Sequence, residues 1–401
     1  MKLDQVIKIS LISFGAFPII PFKIKGLPVA LLLICAIVVF TRNKIKKGDL
    51  KQFFIFSSLF FINIASLLNT FSFPGKKIEI ILSLLLVPLS FLTVNSYVSS
   101  KVKKNFAYTF AISSAILAAS HLLYYFNLGL FSEDSLKVNS FRKAVTQIPI
   151  LNDHPIYVSI FLAIAVILSI NYFKKAGKKQ KLIYFLVMML CVIDLILLSS
   201  KGVLIGMVIS ICLYFFLAIK SIKTKGLLVA GFLGLFILSI FYVPTLERRF
   251  RELKIQSTYN KIQPNNSSSV RIGIYKCVFK TINKKPITGY GLGTYPQKEC
   301  YQELSDHLYK LNYNSHNQFL GYMLIAGVFG LFVLLFFLFY NIKSAMVFKD
   351  HLYFTLIIFF SIIMLTENIL ERQSGLILFI FVSCLLFYQN RNHKKNAKDI
   401  E

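Results

Sequence analysis

The sequence predicts an all-α integral membrane protein of about twelve transmembrane helices, interrupted by one large external loop with short helices of its own. Three observations predict it. Of the 401 residues 56% are hydrophobic and the mean hydropathy is +0.66, too apolar for a chain that must face water with polar surface. Charge-free stretches recur, among them 52–75, 105–132, 202–219, 226–246, 317–342 and 373–390, and each is long enough to span a bilayer. The basic residues form short clusters between these runs, 24 Lys and Arg on one side of the expected membrane against 9 in the short loops of the other. That bias places both termini in the cytoplasm. The net charge of +28 therefore describes topology and anionic membrane lipids; nucleic acid is excluded as a partner, because no basic face carries interleaved aromatics.

In order, spans are expected at 6–22, 26–41, 52–73, 78–98, 105–130, 155–173, 182–200, 203–219, 226–246, 317–341, 352–367 and 374–390. The first two are short, broken by Pro18 and Pro21 and separated only by KIKG; a re-entrant pair there would lower the count to ten without changing the parity. Residues 1–22 lack a small-residue cleavage site and run into another span, so no cleaved leader is expected. The chain thus divides into membrane helices at 1–246, an external loop at 247–315, membrane helices at 316–390 and a basic cytoplasmic tail at 391–401.

The loop begins with a basic amphipathic stretch, ERRFRELKIQSTYNKI, that continues the ninth span or lies along the interface. PNNSSS breaks it and offers Ser268 or Ser269 as an N-cap. Apolar residues at Val270, Ile274, Val278 and Ile282 then recur every four positions, so SSVRIGIYKCVFKTIN reads as a helix. KKPITGYGLGTYP follows as a turn, and a polar helical stretch leads to about Asn312. Cys277 and Cys300 both fall in this loop, where an oxidising exterior would permit a disulfide; two free thiols are the alternative. Cys35, Cys191, Cys212 and Cys384 fall within spans, as small apolar fillers.

Several residues could carry chemistry. Arg271 stands in the first turn of the loop helix, where a cation opposes the macrodipole unless an anion shares the site, and free backbone N–H groups with a guanidinium would bind phosphate. A solvated arginine is the alternative. Gly291, in GYGLG, would let backbone approach a phosphate, although glycines after Pro286 also serve plain turns. His316 is expected at the mouth of the tenth span, capped by Asn314 or Ser315, where a neutral imidazole can take a proton from a hydroxyl; the alternative is a histidine in a polar interfacial belt. Lys201 follows Asp194 by seven residues, on one face if the helix continues, and charges so near hydrocarbon face a cavity or a partner. Arg142 and Lys143 precede the sixth span, with His154 closing their loop, and Glu367, Glu371 and Arg372 cluster between the last two spans. All of these converge on one side of the membrane. No D-x-D, metal-ligand histidine spacing, Walker loop or dinucleotide fingerprint occurs, so no metal and no cofactor are expected.

Taken in order, LLSSKGVLIGMVIS, SSVRIGIYKCVFKTINKKPITGYGLGTY, SHNQFLGYMLIAGVFGLFVLL and LTENILERQSGLILF resemble the C-terminal half of the O-antigen ligase and polymerase superfamily, over about residues 140–390. The shared pattern is an arginine-started helix, a Pro-x-x-Gly-x-Gly turn, and His-Asn opening a glycine-bearing span. The resemblance implies a GT-C type fold in the bacterial inner membrane. It also implies metal-independent transfer of a glycan from undecaprenyl pyrophosphate to an acceptor hydroxyl, on lipid A core or another glycan, at the periplasmic face. On matching positions Arg271 would hold the pyrophosphate and His316 would be the base, with Lys201, Arg142, Arg372, Glu367, Asn317 and Gly291 as substrate-binding candidates. Where the family commonly has arginine this sequence has Lys201, which neutralises phosphate but cannot grip it bidentately. Either Lys201 works less rigidly, or Arg142 or Arg372 supplies the fork. A ligase is the leading expectation, a polymerase with the same donor the alternative, and a lipid-linked glycan flippase a distant third, since flippases carry repeats and midplane polar groups absent here.

Overall fold

The computed structural model describes residues 3–41, 47–70, 73–128, 138–253, 262–264 and 266–398, and all regular structure among them is helical. α1 (Leu3–Ser13) runs into a 3-10 turn at Phe14–Ile19, and α2 is Leu27–Phe40. α3 (Lys47–Phe56) and α4 (Ser58–Ala65) meet at a bend of 53°. α5 (Gly75–Ile81) and α6 (Ser83–Val94) share one span. The long helices α7 (Ser100–Asn127), α9 (Pro155–Phe173), α10 (Lys178–Leu198), α11 (Lys201–Ala218) and α12 (Ile222–Tyr242) follow, with the short α8 (Val138–Gln147) between the first two. The segment before the next span holds α13 (Pro244–Arg251), α14 (Ser267–Ile282), α15 (Lys298–Leu304) and α16 (Asp306–Leu311). α17 (Gln318–Val347), α18 (His351–Met364) and α19 (Gln373–Lys398) complete the bundle.

Among the described residues nine helices are long and apolar enough to cross a membrane, or ten with the bent α3–α4 pair, against the twelve expected. The chain is a multi-pass membrane protein, and the shortfall has local causes. The first expected span is split into α1 and its 3-10 continuation around Pro18, and the eleventh is α18, only 14 residues long. The basic stretch after α12 is a separate helix, α13, and residues 254–261 of the expected amphipathic run lie outside the described residues. The expected tail is partly helical too, since α19 continues past residue 390.

α19 is the most deeply buried of the spanning helices, whereas α12, with no buried residue, lies at the edge. Phe381 of α19 stacks on Phe14 at 3.7 Å between ring centres, and Tyr388 on Phe91 at 5.6 Å. α17 is not one continuous helix. Ala326 and Gly327 leave helical geometry, Gly327 with φ +60°, and the 286–291 turn docks into the break. There Tyr290 N donates to Leu324 O at 2.7 Å, Gly291 N to Ile325 O at 2.9 Å, and Val328 N to Pro286 O at 2.9 Å. Groups freed by a break cannot be left bare at membrane depth, and this turn satisfies them. A Cβ on Gly327 would stand 2.1 Å from Ile287 O, and one on Gly291 would stand 2.1 Å from the Thr70 hydroxyl. The glycine turn is thus a plug for a broken helix.

Candidate functional site

At the end of the bundle where α9, α11 and α17 begin, a cavity of about 300 Å³ is lined by Arg142, Lys201, Arg249, Arg271, His154, His316 and Glu367, with Ser200, Tyr313 and Thr366. α14 brings in Arg271. Its N-cap is Asn266, whose side chain accepts from the N–H groups of Ser268 and Ser269, so neither expected serine is the cap. With two leading amides occupied and Arg271 fifth in the helix, the anion site expected from free N–H groups is not formed. The cation itself remains: Arg271 pairs with the Glu367 carboxylate, while its Nε has no partner among the described residues.

His316 stands two residues before α17 with φ +44°, an unusual backbone for a non-glycine residue. Asn314 Oδ1 accepts from His316 N at 3.1 Å, Tyr275 OH donates to His316 O at 3.2 Å, and Asn317 caps α17 by accepting from Phe319 N and Leu320 N. His316 Nδ1 lies 3.2 Å from the second Glu367 oxygen, so imidazole and guanidinium share one carboxylate. Burial alone would raise the Glu367 carboxyl, but the hydrogen bond to His316 and the charge of Arg271 outweigh it and hold it below the ordinary value. An ionised carboxylate can only accept, so in the neutral imidazole the proton sits on His316 Nδ1 and Nε2 is the acceptor.

The remaining cations crowd the same space. Arg142 donates to Leu198 O at 2.8 Å and Ser200 Oγ at 3.3 Å, and burial, reinforced by Arg249, pushes it down to about 10. Arg249 is lowered chiefly by burial, and its Nε is buried without a partner among the described residues. Lys201 Nζ donates to Glu252 and to Ser268 at 2.8 Å each. Asp194 does not share its face: Ser199 turns left-handed and ends α10, and Asp194 instead meets His121 at 2.8 Å. His154 is pushed down to about 4 by burial and then by Arg372, so it is neutral near pH 7. Its position is tied to the N-terminal helices. Lys25, buried over the rings of Phe17 and Phe161, contacts Asp153 at 2.5 Å, and Asp153 also accepts from His154 N.

The cavity therefore gathers Arg142, Lys201, Arg271, His316 and Glu367. Of the other candidates, Asn317 is the α17 cap just behind it, Arg372 is exposed beside Tyr157, and Gly291 packs against Thr70 and Ile325. Arg249 was not singled out in the sequence; the basic amphipathic ERRFR run that holds it was the available signal. Cys277 and Cys300 form a disulfide joining α14 to α15. Among the described residues no group of three or more His, Cys, Asp or Glu could hold a metal ion. Such a site can receive a compact, multiply charged anion beside a base.

Residues 185–335 match the model of the family described as O-antigen ligase. No curated protein matches the chain.

Proposed function

We propose that this chain, which carries an O-antigen ligase segment at residues 185–335, is a membrane glycan ligase that moves a polysaccharide from undecaprenyl pyrophosphate to an acceptor hydroxyl, on lipid A core or a similar glycan. The observation that carries the reading is the shared carboxylate: Arg271 and His316 both engage Glu367 on the wall of a cavity that two further arginines enter. In the reaction His316 Nε2 takes the proton of the acceptor hydroxyl as its oxygen attacks the anomeric carbon. The bond from that carbon to the pyrophosphate oxygen breaks, and the electron pair leaves with the lipid pyrophosphate. Negative charge grows on that oxygen, and fixed cations with unpaired N–H groups at Arg271 and Arg249 stabilise it. Lys201 is held by Glu252 and Ser268, so the bidentate grip that the family's arginine would give falls to Arg142 and Arg249.

A GT-C type architecture, an inner-membrane location, a periplasmic site and cytoplasmic termini belong to the same proposal. The disulfide supports it, because such bonds persist on the oxidising side. A deletion strain tests the assignment: a ladder of long chains left unligated on their lipid is expected, whereas loss of everything beyond one repeat would make the protein a polymerase.

A further inference from the structure

The segments 313–318 and 366–371 separate the cationic cavity from a second one. Tyr313, His316, Thr366 and Glu367 face the first; Asn314, Ser315, Leu370 and Glu371 face the second, which measures about 40 Å³. Its chemistry is different. The cation on its wall, Lys77, is neutralised by Glu371 at 3.2 Å; amides and phenols from Asn63, Gln297, Gln318, Tyr295 and Tyr322 share the lining with aliphatic side chains such as Ile80 and Leu292. Two of these amides are held at one end and open at the other. Gln318 Oε1 accepts from Leu370 N at 2.8 Å, leaving Nε2 without a partner among the described residues; Gln297 Nε2 donates to Tyr313 O at 3.0 Å, leaving Oε1 likewise without one. Both side chains are 1% exposed. A buried unpaired donor and a buried unpaired acceptor each cost free energy, and a hydroxyl, which donates and accepts at once, is chemically matched to either. The volume exceeds the roughly 10–15 Å³ that one water needs, and it is too small for a whole pyranose ring. With no unpaired cation on its wall among the described residues, the cavity is not built for phosphate.

We propose that this cavity is a carbohydrate subsite that takes a hydroxyl or hydroxymethyl group of a neutral sugar, the ring resting outside it. The proposal rests on the glycan-transfer reading above, and the sugar belongs either to the donor glycan or to the acceptor.

Two variants test it in the full-length protein in lipid nanodiscs. Gln318→Glu keeps the oxygen that accepts from Leu370 and replaces the free donor by an acceptor; Ile80→Phe fills the space. With undecaprenyl pyrophosphate that carries no glycan, binding is expected to match wild type in both. The KM for one glycan is expected to rise about tenfold, the factor one hydrogen bond is worth, and whether it is the donor's or the acceptor's identifies the source. Saturation-transfer NMR with a neutral oligosaccharide reads contact without turnover: the signal is expected in wild type and lost in Ile80→Phe, which decides the matter should Gln318→Glu fail to insert. If neither KM moves beyond about twofold, or if the NMR signal is absent from wild type, the cavity holds water and the proposal is overturned. A wild-type protein that contacts the sugar yet makes no glycosidic bond would sink the ligase reading and leave the subsite standing.

Discussion

His316 reaches the cavity on a left-handed backbone, φ +44°, that costs on the order of 1–3 kcal/mol and persists only where the surroundings over-determine it. Asn314, Tyr275 and Glu367 do so here. His316→Ala is expected to lower transfer by about 10²- to 10⁴-fold, the range of general-base catalysis, with membrane insertion and lipid-pyrophosphate binding retained, as measured on purified protein. Arg271→Lys keeps the charge and loses the fork, so turnover of the donor should fall about 10- to 100-fold while the acceptor KM is unchanged. Glu367 gives a pH dependence whose sign follows from its lowered value. Its stabilisation is present above the ordinary carboxylate range and is lost as pH falls through the lower folded value. Thermal unfolding should therefore separate wild type from Glu367→Gln at neutral pH, and the two curves should converge in acid.

At the scale of elements, the glycine turn shows how a motif legible in sequence can carry a different meaning in space. PITGYG is recognisable as a turn, and Gly291 as a place for close approach, but what approaches is the broken α17 and Thr70. A break at Ala326–Gly327 leaves no periodic signature in so apolar a run, so that partner could not be read from the chain. Gly327→Ala is expected to reduce the yield of folded protein sharply, as judged by size-exclusion profile, because its Cβ would meet Ile287 O at a φ that side chains avoid. The loop helix, by contrast, was legible from its four-residue spacing, whereas its cap was misplaced: three consecutive serines hid Asn266, which fits because its side chain reaches two amides at once. Cys277→Ser should leave Cys300 open to a thiol reagent, where wild type labels at neither position without reductant; loss of the bridge should cost the loop roughly 2–4 kcal/mol.

For the whole molecule, apolar runs and basic clusters suffice to reveal a multi-pass helical membrane protein, because the bilayer imposes both signals independently of packing. They do not reveal which runs are bent, cut by 3-10 turns or only 14 residues long, since those depend on neighbours such as α7, which leaves no room for a side chain at Gly15. Convergence at the site was legible only as a shared side; that Arg249 joins it while Arg372 stays outside depends on the packing of α13 against α8 and α10. The charge bias predicts that a cysteine placed at position 395 is inaccessible to an impermeant thiol reagent in intact cells, while one at position 284 is labelled; the reverse pattern would invert the topology. The central claim is that the pocket around Arg271, Glu367 and His316 joins a lipid-pyrophosphate glycan to an acceptor hydroxyl. The most direct measurement is glycosidic-bond formation by purified wild-type and His316→Ala protein from a synthetic undecaprenyl-pyrophosphate glycan and a lipid A core acceptor. Product with the wild type and none with the variant, both binding the donor, is the predicted result; equal product from the two, or movement of the donor across the bilayer with no new bond, would contradict it.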